Sequence, residues 1–108
     1  MTTISSHMNK QERNKILKQI LWDYDIGTEE IEAVLKGEKN LAGHYTREML
    51  FQKIIESYSW FTIIRLFTPD EIQNLLTSNV IKNLRAPSLR KKYEFVQKRL
   101  QEIIPATG

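Results

Sequence analysis

The 108-residue chain has no cysteine. That excludes disulfides, thiolate zinc sites, iron–sulfur clusters and cysteine nucleophiles. It accords with a reducing cytoplasm, the location expected for this protein. Histidine occurs only at His7 and His44, and no Ser–His–acid or His–Glu–His arrangement can be assembled around either. Long apolar runs are missing too. The most apolar stretch, residues 60–67, is broken by Arg65 and falls far short of the roughly 20 residues a transmembrane helix needs. The first residues lack the basic segment and apolar run of a secretory signal, and no membrane association is expected. Glycine (4) and proline (3) are sparse, which excludes collagen-like and low-complexity chains.

What is present is an ordinary globular mixture, 41% hydrophobic and 27% charged, enough to build one core. Residues 9–104 are read as a single helical domain. Residues 1–8, where Ser6-His7-Met8 is either a cloning remnant or part of a natural tail, and residues 105–108 are read as tails. The net charge of +3 conceals an asymmetry. Residues 1–43 carry six basic and seven acidic side chains, residues 44–78 three and four, and residues 79–108 seven and two. The excess positive charge lies in the last segment, a pattern that points to an anionic partner, protein or nucleic acid.

Helical periodicity dominates the chain. Ile16, Leu17, Ile20 and Leu21 form one stripe of a helix over residues 9–22. Asp25-Ile26-Gly27 reads as a turn with Gly27 available for a left-handed stop, and Thr28 as the cap of the next helix. Ile31, Val34 and Leu35 give that helix its apolar stripe, Gly37 ends it, and residues 38–43 form a loop. A third helix starts at Thr46 with Leu50, Phe51, Ile54, Ile55 and Tyr58 on its apolar face. Residues 60–67 are apolar nearly all round, which predicts a buried helix at the centre of the molecule. Thr68-Pro69-Asp70-Glu71 is a capping box with proline at the first helical position, followed by Ile72, Leu75 and Leu76. Val80, Ile81 and Leu84 predict a short helical turn, and Pro87 forces residues 85–86 out of helical geometry. A last helix over residues 88–104 carries a narrow seam of Leu89, Tyr93, Val96, Leu100 and Ile103. The fold class expected is all-α: a compact single-domain bundle of five to six helices around residues 60–67.

The leading candidate site is the basic cluster at the start of the last helix: Arg85, Arg90, Lys91 and Lys92. First turns of helices favour acidic residues because their free N–H groups make that end positive, and three cations there are a departure that a bound phosphate or carboxylate would reverse. A solvated charged face is the bland alternative. Lys82, Lys98 and Arg99 extend the cluster, and the two helices before it give a loose helix-turn-helix order without the usual glycine turn. Phe95 lies about 120° from the seam by helical position. It is either an exposed interface aromatic or part of a wider buried face.

Two weaker candidates stand beside these. Asp23 and Asp25, at i and i+2 within Trp22-Asp23-Tyr24-Asp25, can ligate Mg²⁺ only if the helix has already ended, since two helical residues turn by about 200°. No phosphate-binding glycine loop or partner acidic motif accompanies them, so a helix-end turn is the preferred reading, and no metal or other cofactor is expected. His44 beside Tyr45 and Thr46 reads as a surface histidine. Without a catalytic set, the protein is expected not to be an enzyme. A monomer is the default, and a homodimer across the Leu89 to Ile103 seam is the alternative.

Leu21-Trp22-Asp23-Tyr24-Asp25, Arg47-Glu48-Met49-Leu50-Phe51, Ser59-Trp60-Phe61, Leu84-Arg85-Ala86-Pro87-Ser88-Leu89-Arg90 and Tyr93-Glu94-Phe95, in that order, resemble a set of small bacterial all-helical proteins of unknown function. Some of these resemble accessory proteins encoded beside nucleotidyltransferases of abortive-infection and toxin–antitoxin type loci. The resemblance implies an antitoxin-like or accessory protein that binds a protein partner, and it brings no catalytic residues with it.

Overall fold

The computed structural model describes residues 9–20 and 26–104. Among the described residues seven helices occur, in the order α1 (Lys10–Ile20), α2 (Thr28–Leu35), α3 (Arg47–Ser57), α4 (Trp60–Leu66), α5 (Pro69–Leu75), α6 (Ser78–Asn83) and α7 (Pro87–Ile103). No strand occurs among the described residues; one isolated bridge pairs Ala42 with Tyr45. The all-α expectation holds, with one or two more helices than expected because the middle of the chain is cut into pieces of six to eleven residues. The cuts follow local chemistry. Thr46, Ser59, Thr68 and Thr77 each adopt extended geometry and accept a backbone N–H three residues on, so each opens a new helix. At Thr68 the expected capping box is complete: Glu71 Oε1 accepts the Thr68 N–H at 2.8 Å, and Thr68 Oγ1 accepts the Glu71 N–H at 3.1 Å.

Helix α2 ends in a Schellman motif. Gly37 takes φ +82°, the Gly37 N–H donates to Val34 O and the Glu38 N–H to Ala33 O. At its other end the structure differs from expectation. Gly27, not Thr28, is the N-cap, with φ −74° and ψ 153°, and no side chain caps the helix. Gly27 is therefore extended rather than left-handed. Thr28 is already helical, so its hydroxyl is past the position from which it could cap.

The central helix is α3, not residues 60–67. Helices α1, α2, α4, α5 and α6 all pack on α3, and its Leu50, Phe51, Ile54 and Ile55 are buried. Helix α4 lies at the periphery. Ile63, Leu66 and the following Phe67 are buried, but Trp60, Ile64 and Arg65 are half-buried and Phe61 is 68% exposed. A seven-residue helix makes only two turns, so its apolar run faces the core on one side and water on the other. Composition alone could not separate that arrangement from full burial. Arg13 ties the periphery together. Its Nε and Nη2 donate to the two carboxylate oxygens of Glu32 at 2.7 and 3.0 Å, its Nη1 donates to Leu66 O, and its guanidinium lies 5.1 Å from the Phe67 ring centroid.

The polar side of α3 positions α6 and the start of α7. Glu48, Gln52 and Glu56 recur every four residues and so lie along one edge of the helix. Glu48 accepts from Thr77 Oγ1 at 2.7 Å, Gln52 Nε2 donates to Asn83 O at 3.0 Å, and Glu56 accepts the Arg85 N–H at 3.0 Å. Farther along, Gln97 Nε2 donates to Leu76 O, and Gln73 Nε2 to Ile104 O, fastening α7 to α5. Most of the expected seam of α7 faces inward: Tyr93 and Leu100 are buried, and Leu89 and Val96 are half-buried against the core. Ile103 departs from it and is 64% exposed, because it lies in the final helical turn.

Replacing the central Phe51 by Ala should cost about 3–5 kcal/mol in urea unfolding. Phe61→Ala should change stability by less than about 0.5 kcal/mol. The reverse order would restore residues 60–67 to the centre.

Candidate functional site

The last helix starts earlier than the spacing predicts. Pro87 is its first residue and Ala86 its N-cap, with no side-chain cap and no acidic residue in the first turn. Arg90 therefore closes the first turn, and Lys91 and Lys92 fall in the second, beyond the reach of most of the helix-end field. The opposition between these cations and the helix dipole is correspondingly small. Arg90 is also committed internally. It is half-buried, and its Nη1 donates to Leu84 O at 2.6 Å and to Arg85 O at 3.5 Å, satisfying carbonyls left free where α6 ends. Arg90 is thus a capping residue for the α6–α7 junction. Arg85 is exposed, and its backbone, not its side chain, is the part held by Glu56.

The remaining candidates converge on the outer face of α7. Phe95 is 64% exposed, so the exposed reading of this aromatic holds. Lys91, Lys92, Lys98 and Arg99 stand at i−4, i−3, i+3 and i+4 from it, all exposed. On a regular helix these four positions lie within about 60° of Phe95 around the axis, with Cβ atoms about 5–6 Å away. Leu41, Met49, Phe61 and Ile103 are also exposed, but none of them has cations at all four of these positions. Two acidic residues border this face: Glu94, three residues after Lys91 and four before Lys98, and Glu102, to whose Oε1 Arg99 Nη1 donates at 3.0 Å. Both partners are more than half exposed, and such a pair contributes at most about 0.5 kcal/mol in water, so it yields readily to a competing anion. Lys92 Nζ lies 5.9 Å from the Tyr93 ring centroid, while Lys91 and Lys98 have no hydrogen-bond or ion-pair partner among the described residues.

The flank of α7 facing α6 has a different character. An open cleft of about 400 Å³ is lined by Ser78, Ile81, Lys82, Arg90, Glu94 and Gln97. There Glu94 shares the space with Lys82 and Arg90 and offsets part of their charge. Lys82 thus belongs to this mixed-charge cleft rather than to the Phe95 face. Other depressions lie elsewhere. An apolar cleft of about 290 Å³ is bounded by Trp60, Ile64, Phe67, Pro69, Ile72 and Leu100. A cavity of about 180 Å³ has Arg13, Lys36, Arg47 and Glu71 in its wall, and both arginines are engaged, Arg13 as above and Arg47 through Nε to Leu35 O. Sequence reading passed over Arg13 and Arg47 because lone arginines on helices carry no spacing signal.

The acidic residues Glu30 and Glu32 of α2 are paired away from the α7 cations, Glu30 with Lys39 and Glu32 with Arg13. The Lys39 ammonium holds the Glu30 carboxyl below the usual carboxylate range. His44 is exposed with its ring stacked on Tyr45 at 4.4 Å. Asp23, Asp25 and His7 lie outside the described residues. Among the described residues no group of three or more acidic or histidine side chains is placed to hold a metal, and no helix is long and apolar enough to cross a membrane. No family model, curated protein or solved structure matches this chain.

Beneath the basic face, Tyr93 is fully buried, edge-on to Trp60, with a hydroxyl that has no hydrogen-bond partner among the described residues. Burial pushes its phenol up to about 12. Below pH 10 the phenol is protonated in both folded and unfolded chains. Between about pH 10 and 12 only the unfolded chain gives up the proton, so stability falls by about 2–3 kcal/mol as pH rises through that window. Tyr93→Phe should remove this portion of the alkaline loss in urea titrations. It should also be more stable than the parent by about 1 kcal/mol at neutral pH, since no partner is lost with the hydroxyl.

Proposed function

We propose that this protein is a non-catalytic interaction module, of the antitoxin-like or accessory kind, that binds an anionic partner through the outer face of α7. The observation that carries the reading is Phe95, 64% exposed with Lys91, Lys92, Lys98 and Arg99 around it. An exposed large aromatic has a cost in water, and four like charges on one face repel one another. An anionic partner that covers the ring offsets both. The face rests on a rigid base, because the opposite side of the same helix holds Tyr93 and Leu100 in the core. Such a base lowers the entropy lost on binding. Arg85 extends the positive field along the junction, and Arg90 supports that junction from within.

Charge reversal tests the reading. Lys91→Glu combined with Lys98→Glu should lower the salt concentration at which the protein leaves an immobilised heparin column. Lys10→Glu with Lys15→Glu, which changes the net charge equally on the exposed side of α1, should leave it nearly unchanged. Equal shifts for the two pairs would mean that only net charge matters and would overturn the assignment to α7.

A further inference from the structure

From the same face, and resting on the reading above, we infer that the anionic partner is a single-stranded nucleic acid. One base stacks on Phe95, and the flanking phosphates are held by Lys91 and Lys92 on one side and Lys98 and Arg99 on the other. The spacing carries the argument. The two cation pairs are centred seven residues apart, about 10.5 Å along the helix axis, with the aromatic ring midway between them. A backbone running along the helix thus meets positive charge before and after the point where a base reaches the ring. Stacking on an exposed aromatic between basic side chains is how proteins grip single strands without reading their sequence.

Two alternatives fit the face less well. In a duplex both sides of each interior base are already stacked, so a ring at the crest of a helix meets groove walls rather than a base face. The large apolar side chain at the centre of the outer surface also displaces the polar side chains that read base edges. An acidic polypeptide would have to supply a pocket for Phe95. It would also meet three lysines and one arginine, although lysine is depleted and arginine enriched at protein–protein interfaces. Lysine serves phosphates well as a mobile point charge. Of the two acidic residues bordering the face, Glu102 is already drawn toward Arg99 at 3.0 Å, which lessens its repulsion of a phosphate, and Glu94 also lines the cleft with Lys82 and Arg90.

Fluorescence anisotropy with labelled 15-nucleotide oligothymidylate, oligouridylate and a mixed-sequence duplex of equal length tests this, with polyglutamate as the polyanion that lacks bases. The single strands should bind more tightly than the duplex, and affinity should fall with salt at a log–log slope of about −0.7 per phosphate neutralised. Phe95→Ala, at an exposed site and with an unchanged melting temperature, should lose about 5- to 100-fold in affinity for the single strands. Phe95→Tyr should keep it, and Phe95→Trp should add, over the emission of Trp22 and Trp60 in the parent chain, an indole emission quenched by oligothymidylate and not by polyglutamate. Tighter duplex binding, or single-strand binding indifferent to Phe95→Ala, would overturn the inference. Polyglutamate binding without oligonucleotide binding would overturn it and leave the anionic-partner reading intact. Failure to bind any of these polyanions would overturn both.

Discussion

The fold depends on the burial of one face of α3. Isolated helices shorter than about 12 residues are marginal in water, and six of the seven helices here are of that kind. Each persists because its apolar side reaches a shared core, and for five of them that contact is with α3 itself. Leu50, Phe51, Ile54 and Ile55 supply the apolar surface on which this assembly closes. Glu48, Gln52 and Glu56 supply a polar edge that fixes where α6 begins and ends. One eleven-residue helix thereby provides both the attraction and the register.

The consequence for α7 follows from geometry. It has seventeen residues and leans on the bundle along one side through Tyr93, Leu100 and the half-buried Leu89 and Val96. Its other side is exposed among the described residues, and that side carries Phe95 and four of the chain's cations. The basic residues that read as one cluster in the sequence do different work. Arg90 closes the α6–α7 junction through backbone carbonyls, and Lys82 sits in a cleft with Glu94. Lys91, Lys92, Lys98 and Arg99 surround the aromatic. Position around the helix, rather than distance along the chain, divides structural from available charge.

Much of the fold was legible because its signals are local. The helix start at Thr46, the capping box at Thr68, the stop at Gly37 and the non-helical geometry before Pro87 all act within a few residues of themselves, whereas the caps at Ser59 and Thr77 were not read, Thr77 because its polar neighbours read as a stop. The centre of the molecule was not, because the apolar density of residues 60–67 says nothing about which other helices pack there. Helix α3 is less apolar, yet five other helices pack on it and bury its apolar face. The cap of α2 misled for a smaller reason, since a threonine beside a glycine reads as the cap while the backbone turns one residue earlier. In the candidate site, the angle of Phe95 to the seam left exposure and burial both open, because the width of the buried face depends on which helices pack against α7, and the structure decides for exposure. The engagement of Arg90 did not, because its partners are backbone carbonyls, which every residue type presents alike.

The claim that the outer face of α7 is the anion-binding surface is tested most directly by a ¹⁵N–¹H NMR titration with polyphosphate, which has neither bases nor apolar groups. The account predicts amide shifts concentrated between residues 91 and 99, strongest on the Lys91, Phe95 and Lys98 side and fading as salt is raised. Shifts centred instead on the cavity beside Arg13 and Arg47, or spread evenly over every exposed lysine, would contradict it.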